Sequence, residues 1–233
     1  DCGSAGGQRG GMTELYVLRV FAGPGDVGGN PLGVVLAGGE VPAGARQGIA
    51  ARLGFSETVF VDGEWVRIFT PAAELGFAGH PTVGTAWLLR EHGRPTEVLR
   101  TAAGEVRTWT EDGLTWVRAR AEWAPAMELR EYANPAEVDA LTGAPDGVPF
   151  FYAWAWDGDK GNGENEVRSR AFAPGVGIAE DEATGAAAIR LTDQVGRALT
   201  IRQGTGSRLL TRPGPGGTVD LGGRVVLSEV RAL

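Results

Sequence analysis

Short apolar runs alternate with polar and glycine-rich segments along most of the chain. Glu14–Ala22 and Leu32–Ala37 have the composition of β-strands separated by a glycine-rich turn. Thr58–Val61 and Trp65–Phe69 flank Asp62-Gly63, a dipeptide that favours a hairpin turn. Nine later runs also predict strands: Val98–Thr101, Glu105–Thr110, Thr115–Arg120, Phe150–Trp156, Glu166–Phe172, Leu199–Gln203, Ser207–Thr211, Thr218–Leu221 and Arg224–Leu227.

Three segments have helical patterns instead. They are Pro42–Leu53, His80–Arg90 and a small-residue segment from about Ala183 to Val195. Pro81 lies in the first turn of the second segment, where proline is favoured. Ala121–Pro149 shows no sustained period, so no element is predicted there. The pattern therefore predicts an α+β protein with many short strands and few helices.

A short repeat indicates two related halves. Arg67–Pro71 (RIFTP) recurs as Arg170–Pro174 (RAFAP), and each copy precedes a glycine-containing loop and a helix. We expect two lobes, residues 12–122 and 123–233, with the last strand a candidate to cross back to the first lobe. Residues 1–11 have the composition of a leader or tag, which makes Met12 the expected natural start.

Composition narrows the classes of function. The formal net charge is -7, and the sequence has one lysine, Lys160. Clusters of basic side chains that would bind nucleic acid are therefore missing from the sequence. One cysteine, Cys2, and two histidines exclude an intrachain disulfide and a zinc site built from Cys or His. No apolar run approaches the roughly 20 residues that span a bilayer. We expect a cytoplasmic protein with no nucleic-acid, membrane or metal partner.

The two predicted helix starts are candidate binding sites for an anion. Phe77–His80 and Thr184–Ala187 place small residues where helix N–H groups are unpaired, which suits a carboxylate. If the halves face each other, both starts converge on one cleft. Structural roles are the alternative, because Asp181 is also a plausible N-cap and the glycines also suit helix packing.

Glu57 is a candidate for acid–base chemistry. It lies among apolar residues in Phe55–Phe60 (FSETVF), where a helix gives way to a strand. Burial there would raise the pKa of the carboxyl towards neutrality and suit proton transfer. The alternative is an exposed glutamate at a strand edge, and Glu74 has the same two interpretations.

Four sequence blocks are similar to the signature blocks of one family. They are Gly29–Val35 (GNPLGVV), Phe55–Phe60, Arg67–Pro81 (RIFTPAAELGFAGHP) and Glu180–Gly185 (EDEATG). By these blocks the chain resembles the PhzF family, named for an isomerase of phenazine biosynthesis. The resemblance implies the fold of diaminopimelate epimerase: two similar lobes, each a curled, mostly antiparallel sheet around a central helix. It also implies an active site between the lobes, a homodimer, and no metal or organic cofactor.

The resemblance also implies roles for individual residues. The family's catalytic glutamate falls on Glu57, and its active-site histidine and aspartate fall on His80 and Asp181. Its backbone contacts to a substrate carboxylate fall near Gly79 and Gly185. The matching blocks add two candidates for substrate binding, which are Asn30 and Ala186.

The expected reaction is a cofactor-independent proton shift on a small carboxylated metabolite, in secondary metabolism. Neither lobe contains a cysteine, so a racemase with two opposed thiols is excluded. A non-thiol epimerase and a non-catalytic binding homologue stay open as alternatives. The chain is shorter than typical members and departs from the family pattern at four positions: Arg19 for Asp, Gly76 for Pro, Glu182 for Pro and Ala186 for Ser.

Overall fold

The computed structural model describes residues 13–158 and 165–233. The predicted leader, Met12 and most of the loop after Trp156 lie outside the described residues. The described chain contains fifteen strands: β1 (Glu14–Ala22), β2 (Asn30–Val35), β3 (Thr58–Asp62), β4 (Trp65–Phe69), β5 (Glu74–Leu75), β6 (Val98–Thr101), β7 (Gly104–Glu111), β8 (Leu114–Arg120), β9 (Glu128–Glu131), β10 (Phe151–Trp156), β11 (Glu166–Ala173), β12 (Ile178–Asp181), β13 (Leu199–Gln203), β14 (Ser207–Pro213) and β15 (Thr218–Ala232).

Four α-helices accompany these strands: α1 (Ala43–Leu53), α2 (Gly79–Glu91), α3 (Pro135–Asp139) and α4 (Gly185–Val195). Short 3-10 turns lie at Pro24–Asp26, Gly38–Glu40, Ala121–Trp123, Pro174–Val176 and Pro215–Gly217. None of the helices in the two described ranges has the length and hydropathy that crossing a bilayer requires.

The first lobe is a closed ring of strands around α2. The strands follow in the order β1, β2, β3, β4, β6, β7, β8 and β15, and β15 pairs back to β1. Ten of the thirteen residues of α2 are buried, which places this helix inside the ring rather than on its surface. Apolar side chains of the helix, such as Val83 and Leu88, join Leu18, Ile68 and Leu99 of the strands in one core.

The second lobe extends the same sheet around α4. From β15 the sheet continues through β14, β13, β11 and β10 to β9, which forms its free edge among the described residues. Helix α4 packs against β14 and β15 and touches α2. Its Ile189 and Leu191 belong to the same apolar cluster as the core of the first lobe. The two lobes therefore share a continuous core.

The internal repeat has the same structure in both lobes. Arg67 of β4 binds Glu74 of β5, and Arg170 of β11 binds Glu180 of β12. In each case a short antiparallel strand pairs with the repeat strand and leads to the central helix of its lobe. The predicted α+β fold with two similar lobes is confirmed. Glu74, one of the two candidate acids, forms this ion pair.

Two predictions about secondary structure were wrong. The last two predicted strands are one, β15, because Gly222 and Gly223 are extended rather than a turn. A Cβ at Gly222 would lie 2.3 Å from the ring of Trp116, and one at Gly223 would lie 2.5 Å from the ring of Phe21. Glycine is required there because aromatic side chains cross the strand, not because the chain reverses.

The segment Ala121–Pro149 contains β9 and α3, where no element was predicted. A strand of four residues and a helix of five are too short to produce a detectable period. Helix α3 does have a local signal, since the Asn134 side chain caps it by accepting from the N–H of Glu137, with Pro135 at its first position. The lobe boundary after residue 122 stays a prediction, and β15 pairs with both β1 and β8 of the first lobe.

Candidate active site

The starts of α2 and α4 meet at two glycines. A Cβ on Gly79 would lie 2.9 Å from the Cα of Gly185, and one on Gly185 would lie 3.0 Å from the Cα of Gly79. Neither helix has a side-chain cap or an acidic residue in its first turn. Unpaired N–H groups and two partial positive charges therefore converge on one point between the lobes.

A cavity of about 320 Å³ borders both helix starts. Ala78 precedes α2, Thr184 precedes α4 and Ala186 lies in the first turn of α4, and all three lie in the cavity wall. Most of the remaining wall is apolar and aromatic. It includes Leu75, Phe77, Trp123, Met127, Phe150, Phe151, Tyr152, Phe172, Val176 and Ile178. Among the described residues no Lys or Arg lines the cavity.

Glu57 extends into this cavity from the segment between α1 and β3. Its side chain is 16% exposed, and its Oε2 atom is buried without a hydrogen-bond partner. Burial raises the pKa of the carboxyl to about 7, because the apolar surroundings disfavour the charged form. At neutral pH the Glu57 carboxyl is therefore protonated in part of the molecules and ionised in the rest.

His80 lies directly behind Glu57, in the first turn of α2. Its Nε2 atom is 3.3 Å from Oε2 of Glu57, and neither atom has a partner with hydrogen-bond geometry. Burial lowers the pKa of the imidazole to about 4, partly opposed by Asp181 and by a hydrogen bond to the backbone of Pro31. At neutral pH His80 is therefore neutral and is a potential acceptor for a proton on Glu57.

Asp181 lies in the same cavity wall, at the end of β12. Its Oδ1 accepts from the Asn30 side chain at 2.8 Å, and its Oδ2 accepts from the Thr184 hydroxyl at 2.6 Å. Burial raises the pKa of this carboxyl, while His80 and the two hydrogen bonds oppose the rise. The side chain does not cap α4, so the N-cap alternative does not describe it.

The Asn30 side chain links the two lobes by its hydrogen bond to Asp181. Its amide also donates to the carbonyl of Ala183 at 2.8 Å, so one side chain of the first lobe holds two groups of the second. Gln203 supports the same segment by donating to the Asp181 carbonyl and accepting from the N–H of Thr184. Sequence reasoning missed Gln203, because a glutamine at a strand end gives no local signal.

A second set of hydrogen bonds explains one of the unusual residues. Glu182 accepts from the N–H and the hydroxyl of Thr205 and from the Ser207 hydroxyl, at 2.9–3.1 Å. Ser207 in turn accepts from the N–H of Gly29 at 2.8 Å. Glu182 therefore links the second lobe to the residue that precedes Asn30.

The structure brings the predicted site residues to one place, in two layers. Glu57, Asp181 and Ala186 line the cavity, whereas the other four lie behind its wall: Asn30, Gly79, His80 and Gly185. Two other departures from the family pattern are also accounted for. Gly76 lines the cavity, and Arg19 donates to the carbonyls of Asp26 and Gly28 in the loop before Asn30. The described residues contain no group of three or more His, Cys, Asp or Glu arranged to hold a metal ion.

Comparisons with known proteins show the family of the chain. The family model for phenazine biosynthesis-like proteins, PhzC-PhzF, matches residues 20–147, more than half of the chain. The trans-2,3-dihydro-3-hydroxyanthranilate isomerase of Pseudomonas fluorescens is 30% identical over 222 residues, which cover 76% of this chain and 77% of that one.

Solved structures show the same fold. A PhzF-family protein from Enterococcus faecalis superposes with a TM-score of 0.76 at 22% identity, over 94% of this chain and 98% of its own. A hydroxyproline epimerase from Agrobacterium vitis superposes with a TM-score of 0.60 at 14% identity, over 94% and 92%. By sequence and by fold, the chain belongs to the PhzC-PhzF family of phenazine biosynthesis-like proteins and is an isomerase.

Proposed function

We propose that this isomerase moves a proton between two carbons of a small carboxylated metabolite, with Glu57 as both base and acid. The observation that carries the proposal is the position of Glu57. Its carboxyl, with the Oε2 atom unpartnered, borders an apolar cavity beside two uncapped helix starts. A relative named for the isomerisation of a ring carboxylate supports the same class of substrate.

In the proposed reaction the substrate carboxylate binds where the starts of α2 and α4 reach the cavity, at the backbone of Ala78, Ala186 and Ala187. Ionised Glu57 removes a proton from a carbon conjugated with that carboxylate, and the double bonds shift. The negative charge spreads towards the carboxylate, where the helix N–H groups stabilise it. Glu57 then returns the same proton to a second carbon on the same face. The atoms of substrate and product are identical, and no oxidant or reductant is needed.

His80 and Asp181 position the reacting groups in this proposal. While Glu57 holds the proton, the neutral His80 ring accepts a hydrogen bond from it and keeps the carboxyl aimed at the substrate. Asp181, held by Asn30 and Thr184, accepts a hydrogen bond from the substrate. A cytoplasmic location, a homodimer and independence of cofactors accompany the proposal as predictions.

A non-thiol epimerase is the second candidate. It is favoured by one observation: a second carboxyl, Asp181, lines the same cavity as Glu57. Two acids on opposite faces of one carbon would exchange protons with inversion. In a protein that only binds small molecules, by contrast, Glu57 would have no catalytic task.

Deuterium exchange separates these functions. Dihydrobenzoates and the dihydro-hydroxyanthranilate named for the relatives would be incubated with wild-type protein and Glu57→Gln in D₂O and followed by NMR. The isomerase predicts a new carbon–hydrogen bond, partial retention of the original proton, and a rate at least about 100-fold lower in Glu57→Gln. Inversion at a stereocentre with solvent deuterium would support the epimerase. Turnover that is unchanged in Glu57→Gln would refute the role of Glu57.

A further inference from the structure

The wall of the active-site cavity limits what its substrate can be. Its hydroxyl groups, from Thr70, Tyr152 and Thr184, already donate their protons to other protein groups. No cationic side chain lies in the described wall. Apart from the indole N–H of Trp123, polar partners for a substrate are therefore concentrated at Glu57, Asp181 and the two helix starts.

The rest of the wall consists of apolar side chains from both lobes. Phe77 packs on Trp123 with ring centroids 5.6 Å apart, and Phe151 stacks on Phe172 at 6.3 Å. A hydroxyl or amino group placed against these rings would lose its hydrogen bonds to water and gain none, which is unfavourable. An apolar group in the same place would be removed from water, which is favourable.

Val176 adds an independent observation. This residue is 54% exposed, among the largest values for bulky apolar side chains in the described chain, yet it lines the cavity. An exposed valine in a cavity wall is covered when an apolar ligand binds next to it. The cavity therefore provides apolar contact beyond the carboxyl-binding point.

We infer that the substrate is a cyclic monocarboxylate whose ring carries an alkyl or aryl substituent, and no polar group, on the side that faces the aromatic wall. The carboxylate lies at the helix starts, and the substituent packs against the aromatic wall and Val176. A cavity of about 320 Å³ is at the lower end of the range for small-molecule sites and suits one ring with a branched substituent. This inference rests on the proposed function and specifies its substrate class.

Calorimetric titration at pH 7 with three probes tests the inference: benzoate, 4-hydroxybenzoate and 4-tert-butylbenzoate. We expect 4-tert-butylbenzoate to bind about tenfold tighter than benzoate, and 4-hydroxybenzoate to bind no tighter than benzoate. In Val176→Asn the preference for the tert-butyl group should fall at least threefold. Val230→Asn is the matched control, since Val230 is 45% exposed and lies outside the cavity wall, and it should keep the preference.

Several results would overturn the inference. The first is binding of 4-tert-butylbenzoate less than threefold tighter than binding of benzoate, and the second is tightest binding of 4-hydroxybenzoate. The others are an unchanged preference for the tert-butyl group in Val176→Asn and no binding of any probe. Failure of the proposed function has a different signature. It appears in the exchange assay, as turnover that does not depend on Glu57, whereas the binding preference should persist in Glu57→Gln.

Discussion

The buried carboxyl of Glu57 makes a prediction that needs no substrate. Replacing Glu57 with glutamine keeps the size of the side chain and removes its titration. In the folded protein burial raises the pKa to about 7 from the ordinary 4.5. Between these values the folded chain holds a proton that the unfolded chain has lost. Stability of the wild type should therefore fall as pH rises through this window, because ionising the buried group is unfavourable.

The magnitude follows from the two pKa values. Integrating the linkage relation from pH 5 to pH 8 gives a loss of about 2.5 kcal/mol attributable to Glu57. This figure is an upper value, because the side chain retains some contact with water. His80 acts in the opposite sense: its folded pKa of about 4 makes stability rise between about pH 4 and its ordinary value of 6.5. The His80 ring is present in both proteins, so its contribution largely cancels in the difference between them. Glu57 also raises the pKa of Asp181, and the difference includes the loss of that coupling.

Urea unfolding followed by tryptophan fluorescence at pH 5 and pH 8 measures the effect. The free energy of unfolding of Glu57→Gln, relative to wild type, should increase by about 2.5 kcal/mol between the two pH values. Glu74→Gln is the control, because Arg67 lowers the pKa of Glu74 and this variant should gain nothing at pH 8. If the free energies of unfolding of Glu57→Gln and wild type differ by the same amount at both pH values, the burial of Glu57 is refuted.

Three other substitutions test the framework of the site. Gly79→Ala places a methyl group 2.9 Å from the backbone of α4 and should cost about 2 kcal/mol in urea unfolding, whereas Gly44→Ala, with open space around it, should cost nothing. Glu182→Ala should cost about 2 kcal/mol and accelerate hydrogen exchange at the N–H of Thr205, which it leaves without its acceptor. Asp220→Asn removes a buried carboxylate that binds two arginines and should lower the urea midpoint by the equivalent of about 2 kcal/mol.

Much of the fold is predictable from local pattern. Strand β1 and helix α2 have long, regular apolar patterns, and the structure places them within a residue or so of the predicted bounds. The repeat at Arg67 and Arg170 indicated two related lobes, which the paired arginine–glutamate contacts bear out. Elements of four or five residues, such as β9, could not be predicted, because tertiary pairing rather than local pattern stabilises them.

The site was less predictable, because its geometry depends on contacts between distant segments. Glu57 could be named from its apolar neighbours, but only the fold brings His80 to 3.3 Å from it. Gln203 and Ser207 give no local signal, since their partners lie about 20 residues away in Thr184 or in the other lobe. Pattern identifies candidate groups, and long-range packing decides which of them share a cavity.

The central claim is that Glu57 exchanges a proton near neutral pH inside the cavity. Carboxyl ¹³C NMR of the whole protein, titrated from pH 3 to pH 9, measures this directly, with the Glu57 resonance assigned by its absence in Glu57→Gln. We predict a midpoint near 7 for this resonance. A midpoint near the ordinary glutamate value of 4.5 would contradict the account.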